Sequence, residues 1–473
     1  MIDGLKPYAK YKESELVWLP SLPKKWTIRR GRGVFECVDK RSNTGHEELL
    51  SVSAADGVRR RSEKAVTMFQ ANSYVGHKLA WPGDLVINSL WAWMKGLGFS
   101  KYHGIVSTAY GVYRLRPEHR DGWRYFNYLL RSNAYDWELR VRSKGIWISR
   151  MQLTDWSFLD MPILLPPLEE QVGIVRFLDH ANRKIDCFIR TKRKLIALLN
   201  EQKQAVIHRV VTRGLDPDVP LKPSGIEWVE DVPVHWGLPL LGRCLTGIEQ
   251  GWSPVAAEGD IVPEQWCVLT LSSVRRGIFN PSAVKPVSMA AAIPRRFEVA
   301  DGDLLLTRSN TRDRVGDVCL VKGARPRTLL CDLIYRLRLR SGAFDPQFLV
   351  FQLLSQIGRQ HIERDARGSS GTMPKISQAH IKSWRVLLPP IDEQKRIVRV
   401  IEAECAPIES TVAYIEQEIS LMQEYRTRLT TDIVTGKLDV QSAAASLPEI
   451  VDMGADEVAI DEITDELEYE DIE

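Results

Sequence analysis

The sequence predicts an α+β protein made of two homologous globular domains, each closed by a long helix, with the two helices paired as a coiled coil. Two repeats and one periodicity predict it. Residues 164–179 (LLPPLEEQVGIVRFLD) and 387–402 (LLPPIDEQKRIVRVIE) are identical at nine of sixteen positions, at a constant offset of 223. In the same register VTRGLD (211–216) meets VTGKLD (434–439). A second signature, YKESELVWLPSLPKKW (11–26), returns as LKPSGIEWVEDVPVHW (221–236) at an offset of 210. A period above two hundred residues is too long for a solenoid and marks a duplicated domain.

The leads, residues 1–26 and 214–236, share Lys12/Lys222, Ser14/Ser224, Trp18/Trp228, Pro23/Pro233 and Trp26/Trp236. Their tryptophans are expected to be packing anchors. Domain 1 spans 27–160 and domain 2 spans 237–384. In each, a Gly-Asp turn opens an apolar run, Gly83-Asp84-Leu85-Val86-Ile87 and Gly302-Asp303-Leu304-Leu305-Leu306. A second strand signal follows, Tyr113-Arg114-Leu115-Arg116 against Tyr335-Arg336-Leu337-Arg338. Helical patterns come next, at 123–131 and 345–356, then polar loops at 142–150 and 367–372. Curved sheets with hairpins and flanking helices are the expectation.

The rods are assigned to 161–213 and 385–436. Pro166-Pro167 and Pro389-Pro390 suit a helix start, where a missing N–H costs nothing. Glu169, Glu170, Asp392 and Glu393 then sit where the helix dipole favours carboxylates. Steps of four and three pick out Ile174, Leu178, Ala181, Ile185, Phe188, Lys192, Leu195, Leu199, Gln202 and Val206. The second copy offers Ile397, Ile401, Cys405, Ile408, Val412, Ile415, Ile419, Met422, Leu429 and Ile433. At 1.5 Å per residue such rods reach on the order of 60 Å. Pro407 is expected to kink the second. The competing reading has each helix packed on its own domain.

Composition bounds the rest. A chain of 473 residues holds two to four domains, and 44% hydrophobic content is ordinary for a globular protein. No run of about eighteen apolar residues predicts a membrane span, and the opening MIDGLKPYAKYKESE has no signal-peptide core. Seven scattered cysteines with no CxxC pair point away from zinc and disulfides. A cytoplasmic protein is expected. The net charge of +3 is polarised: residues 441–473 carry twelve Asp/Glu and no Lys/Arg, which leaves +15 on the rest. That excess favours a polyanion partner, and the acidic tail (437–473) is expected to be disordered.

The copies diverge in their loops, where changed partners would act. Those of domain 1 are 51–64, 89–101 and 142–150, with Arg59, Arg60, Arg61, Lys64, Lys95, Lys101, Arg142 and Lys144 as candidate DNA contacts. Those of domain 2 are 250–260, 272–280, 307–314 and 367–372, with Arg275, Arg276, Arg308, Asn310, Arg312, Arg314, Arg367, Ser369 and Ser370. Arg and Lys anchor phosphates, Arg pairs with guanine and Asn with adenine. Catalytic signatures are missing: there is no GxxxxGK[ST] loop, and Asn280-Pro281-Ser282-Ala283 fails the Asn/Asp-Pro-Pro-aromatic pattern of amino-methyltransferases. No HExxH, GxSxG or His/Cys cluster is present, so no catalytic residue and no metal site is assigned.

The order of Trp lead, variable domain, LLPPxxEQxxIV rod and VTxG/VTGKLD close, all repeated, resembles the specificity subunit of type I restriction–modification systems. The likeness covers almost the whole chain. It implies that each domain is a target-recognition domain reading one half of a bipartite site in double-stranded DNA. It implies that the rods pair antiparallel, giving an internal pseudo-twofold and a fixed spacing between half-sites. Two methyltransferase subunits would dock on the helices and two motor–nuclease subunits would join for cleavage. S-adenosylmethionine, ATP and Mg are implied for those partners, with no cofactor on this chain, no membrane and no enzyme activity of its own. The alternative from another class is a scaffold that organises a complex without reading sequence.

Overall fold

The computed structural model describes residues 5–63, 73–145, 151–254, 259, 261, 262, 264–288, 295–366 and 373–448. The chain forms two units, Met1–Thr191 with Glu418–Glu473, and Lys192–Gln417. Both are α+β and both follow one plan.

In unit 1 the lead folds as a hairpin, Tyr11–Leu16 against Leu19–Pro23, and Trp26 follows it into the core fully buried. A four-stranded antiparallel sheet has the spatial order Phe35–Cys37, Gly111–Leu115, Asp84–Ile87, Leu97–Phe99. The run from Asp84 to Ile87 is buried throughout, because both faces of the sheet are covered. Leu85 and Ile87 join a core shared with helix Trp123–Arg131 and the rod residues Ile174 and Leu178. Val86 faces the other way, into a smaller core with Leu50 and Val58 of the hairpin Leu50–Ser53/Gly57–Arg60. A helix Asp136–Arg142 follows the first.

Unit 2 repeats this. Its lead hairpin, Leu221–Ile226 against Val229–Pro233, keeps the register of the first copy. Its main sheet is ordered Leu245–Gln250, Ile334–Leu339, Leu304–Thr307, Val318–Leu320. Leu304 and Leu306 face the helix core, and Leu305 faces a second core with Val268 and Leu329. Helices Pro346–Leu354 and Gln356–Asp365 match the helix pair of unit 1.

The strand pairing corrects one sequence match. Tyr113 lies opposite Leu85, and the residue opposite the equivalent Leu304 is Leu337, not Tyr335. The two YRLR segments therefore align two residues further along than their letters do. A slip of two keeps every side chain on its own face, so the apolar pattern tolerates it. The ion pairs fit either alignment: Arg114 Nε meets Asp84 at 2.8 Å, and Arg336 and Arg338 both meet Asp303 at 2.9 Å.

The rods are helices Leu168–Arg213 and Ile391–Val434, of 46 and 44 residues. Pro162–Leu165, inside the region assigned to the first rod, is a strand paired with Thr27–Arg30. The prolines cap rather than open the helices: Pro167 O accepts from Gln171 N, and Pro390 O accepts from Gln394 N, both at 3.0 Å. The second helix runs through Pro407 without a break. The rods pair with each other, which excludes the reading of two separate helices. In unit 2 Lys203 meets Glu409 at 2.5 Å and Arg209 meets Glu404 at 3.0 Å, so the pairing is antiparallel. In unit 1 Asp186 pairs with Arg426.

The seam is narrower than its spacing predicts. Ile174, Leu178, Ala181 and Ile185 are buried, but Ile189 and Ile207 take the places expected for Phe188 and Val206. Leu195 is 40% exposed and Gln202 is exposed. A helix of 3.6 residues per turn drifts against a strict heptad, and two helices alone cover only one side of each other.

The repeated motif letters have separate jobs at the rod starts. Gln171 and Gln394 each donate Nε2 to the first proline carbonyl, Pro166 O and Pro389 O, at 2.9 Å. Glu170 accepts from Trp26 Nε1 at 2.7 Å, and Glu393 accepts from Trp236 Nε1 at 3.2 Å. At the far ends, Gly214 and Gly436 both have φ of 74° and close the helices in the left-handed region. A Cβ on Gly436 would stand 2.5 Å from Pro23. No helix among the described residues is long and apolar enough to cross a membrane.

Candidate nucleic-acid interface

In each unit the loop between the last two strands of the main sheet hydrogen-bonds to the segment that follows the helix pair. In unit 1 Leu153 N donates to Ser89 O at 3.0 Å. In unit 2 Ile376 N donates to Arg308 O at 2.9 Å. This shared contact fixes the loops 88–96 and 308–317 as equivalents. Their chemistry is opposite.

In unit 2 the loop joins a hairpin. Strands Val274–Arg275 and Ile278–Phe279 are linked by Arg276 and Gly277, at φ of 41° and 92°, the two positive values that a tight two-residue turn requires. Arg276 N donates to Asp317 Oδ2 at 3.2 Å and Gly277 N to Val318 O at 2.9 Å, which pins the turn to the sheet. Burial pushes the Asp317 carboxyl above the usual range, against the Arg276 N–H and the charges of Arg359 and Arg276. Asp313 goes the other way. Burial would raise it, but the Thr311 hydroxyl, a backbone N–H and the guanidiniums of Arg314 and Arg276 together hold it below the usual range. Asn310 Oδ1 accepts from Thr311 N at 2.9 Å, and Thr307 Oγ1 donates to Arg314 O at 2.9 Å. Arg308 lies over the Tyr335 ring at 5.9 Å, and Ser309 bridges to Lys375, a cation that the spacing arguments missed. The structure thus gathers Arg275, Arg276, Arg308, Asn310, Arg312 and Arg314 at one end of the sheet, with Arg275, Arg276 and Arg312 exposed.

Unit 1 is less uniform. Arg60 is exposed over the Tyr102 ring at 4.7 Å, and Arg59 pairs with Asp56 at 3.4 Å. Arg61 acts on Tyr110, whose hydroxyl accepts from Asn88 Nδ2 at 3.1 Å, so the hairpin and the loop 88–96 are neighbours. Lys101 and Lys144 are exposed. Two candidates are committed to the fold. Arg142 holds Glu138 at 2.6 Å and Asp160 at 3.5 Å, and Glu138 also accepts from Trp18 Nε1 at 2.8 Å. Lys95 pairs with Asp136 at 3.1 Å and donates to Asn133. Lys64, Arg367, Ser369 and Ser370 lie outside the described residues, as do parts of the loops 142–150 and 250–260.

No family model matches the chain. It is 26% identical over 341 residues to the type I restriction enzyme EcoKI specificity subunit of Escherichia coli K12, covering 71% of this chain and 70% of that one. The EcoEI specificity subunit of Escherichia coli is 27% identical over 207 residues, 43% of this chain and only 35% of the relative. Among solved structures, a chain from work on the assembly and conformational transition of the type I R-M system superposes with a TM-score of 0.58, covering 88% of this chain and 99% of that one at 17% identity. That likeness is one of fold.

The chain is similar to the specificity subunits of type I restriction enzymes.

In this chain the lead hairpins and rod ends are the duplicated frame, and the sheet-end loops are where the two units differ. The sequence pointed to the loop 89–101 but took only its lysines. That loop also exposes large apolar side chains: Trp91 is 54% exposed and stacks on the partly exposed Trp93 at 6.2 Å, and Leu90 and Met94 stand out beside it.

Proposed function

We propose that this chain is the non-catalytic DNA-reading subunit of a type I restriction–modification complex, each unit reading one half of a bipartite site. The observation that carries the reading is one frame, built twice, with unlike loops at the same sheet end. A scaffold that ignores sequence has no use for such divergence at one place. In unit 2 the arginines can anchor phosphates, and Arg312 with Asn310 offers the donors and acceptors that guanine and adenine edges require. Affinity would be salt-dependent, since each phosphate neutralised releases counterions.

The paired helices then serve as the spacer between half-sites. Two methyltransferase subunits dock on them, carrying S-adenosylmethionine, and two motor–nuclease subunits carrying ATP and Mg complete the cleaving complex. Two readers on one chain gain from effective concentration, because binding one half presents the other.

The test is a genome-wide map of methylated adenines with and without the gene. Loss of one split, asymmetric motif on deletion supports the reading and yields both half-sites. An unchanged map in a strain shown to express an active partner methyltransferase leaves the scaffold.

A further inference from the structure

The loop of unit 2 equivalent to 88–96, residues 308–317, contains no aromatic residue, whereas that of unit 1 exposes one. Leu90, Trp91 and Met94 stand out from the loop 88–96, and Trp137 from the neighbouring helix Asp136–Arg142, all more than 40% exposed. Arg140, also exposed, lies over the Trp93 ring at 5.9 Å. The loop is closed by its own hydrogen bonds. Trp91 O accepts from Met94 N at 3.0 Å and from Gly96 N at 2.9 Å, Trp93 Nε1 donates to Leu90 O at 3.1 Å, and Lys95 is held at φ of 61°. Holding apolar side chains in water on a preorganised loop is an arrangement for a partner.

The position and the charge identify the partner. The equivalent loop of unit 2 carries Arg308, Asn310 and Arg312, so this sheet end faces the same kind of ligand in both units. The acids of the adjoining helix are neutralised within the fold, Asp136 by Lys95 and Glu138 by Arg142. Exposed Arg140 and Lys144 leave the surface cationic.

We propose that Trp91 is an apolar wedge through which unit 1 reads its half-site, inserting at or stacking on a base step of duplex DNA while Arg140 neutralises backbone phosphate. The proposal rests on the DNA-reading function and deepens it. Unit 2 reads base edges by hydrogen bonds, whereas unit 1 reads stacking and step deformability.

The experiment selects duplexes from a random-sequence pool on the full-length chain and on its Trp91→Ala, Trp91→Phe and Arg312→Ala variants, with circular dichroism to check folding. Arg312→Ala identifies the half read by unit 2. The expected result is that Trp91→Ala degenerates the other half at one or two steps and weakens binding by about tenfold. Its salt slope should equal the wild type's, because no charge was removed, and Trp91→Phe should keep the motif. Enrichment of the same motif at the same affinity by Trp91→Ala overturns the wedge and makes the surface a protein contact. Equal weakening of both halves also overturns it. If the wild type enriches no motif, the DNA-reading function itself fails, and the wedge with it.

Discussion

Trp26 donates its indole N–H to Glu170 across 144 residues of chain, at 2.7 Å. The same carboxylate accepts from the Tyr8 hydroxyl at 3.2 Å, so one rod-start acid gathers the lead of its own unit. Trp236 and Glu393 repeat the contact in unit 2, where His235 Nε2 also reaches Glu393 at 2.8 Å.

Replacing Glu170 by Ala strands a donor on a fully buried indole, a loss of about 2–3 kcal/mol. Hydrogen exchange should show the hairpin Tyr11–Leu16/Leu19–Pro23 losing protection while Leu221–Ile226/Val229–Pro233 keeps it. Glu393→Ala should give the mirror pattern. Equal loss in both hairpins would remove the role assigned to this contact.

Arg312→Ala is expected to weaken specific DNA binding by about 1–3 kcal/mol and to lower the salt slope by about one if the guanidinium meets phosphate. Relaxed base preference should stay within one half-site. Titration against duplexes mutated in either half decides it. A loss shared by both halves would assign Arg312 to general attraction.

Removing seven residues from the middle of both rods keeps the heptad phase and shortens each by about 10 Å. The spacer should fall by about three base pairs, at roughly 3.4 Å each, with both half-sites intact. The methylated motif reports this directly. An unchanged spacer would end the case for the rods as a ruler.

Asp365 gives a pH test. Burial alone would raise its carboxyl, but hydrogen bonds from Arg364 and from the Trp384 indole outweigh it and hold the group below the usual range. A depressed folded value means that the stabilisation is complete above the ordinary 3.8 and is lost as pH falls below it. Asp365→Asn should therefore cost about 1–2 kcal/mol at pH 7 and progressively less toward pH 3. Urea unfolding across that range measures it. A penalty that does not change with pH would mean that the amide's shape, not the lost charge, is responsible.

The frame was legible because its constraints are local and repeated. The Gly-Asp-apolar runs became central strands, and the Trp leads became hairpins that end in buried indoles. The YRLR match misled by two residues because a slip of two leaves alternation intact. The seam ran past Phe188 to Ile189 because heptad counting ignores helical drift. In the candidate site, the charged residues picked from the sequence gather at one sheet end in unit 2 and are dispersed in unit 1. Lys95 and Arg142 pair with Asp136 and Glu138, while Trp91 and Trp137 stand exposed beside them. Sequence alone cannot tell a lysine that pins a loop from one that faces a ligand.

The division of the chain has a consequence for how it is made. Unit 2 is one continuous stretch, whereas unit 1 needs residues 1–191 together with 418–473. Lys6 bridges Asp439, and Tyr125 Oη donates to Val434 O, so the part before residue 192 waits for the part after residue 417. At about 5–20 residues per second, the roughly 200 residues in between take tens of seconds to translate. The unit encoded first is therefore completed second. During that interval the ribosome-bound chain carries a first-unit core that still lacks Leu429 and Ile433.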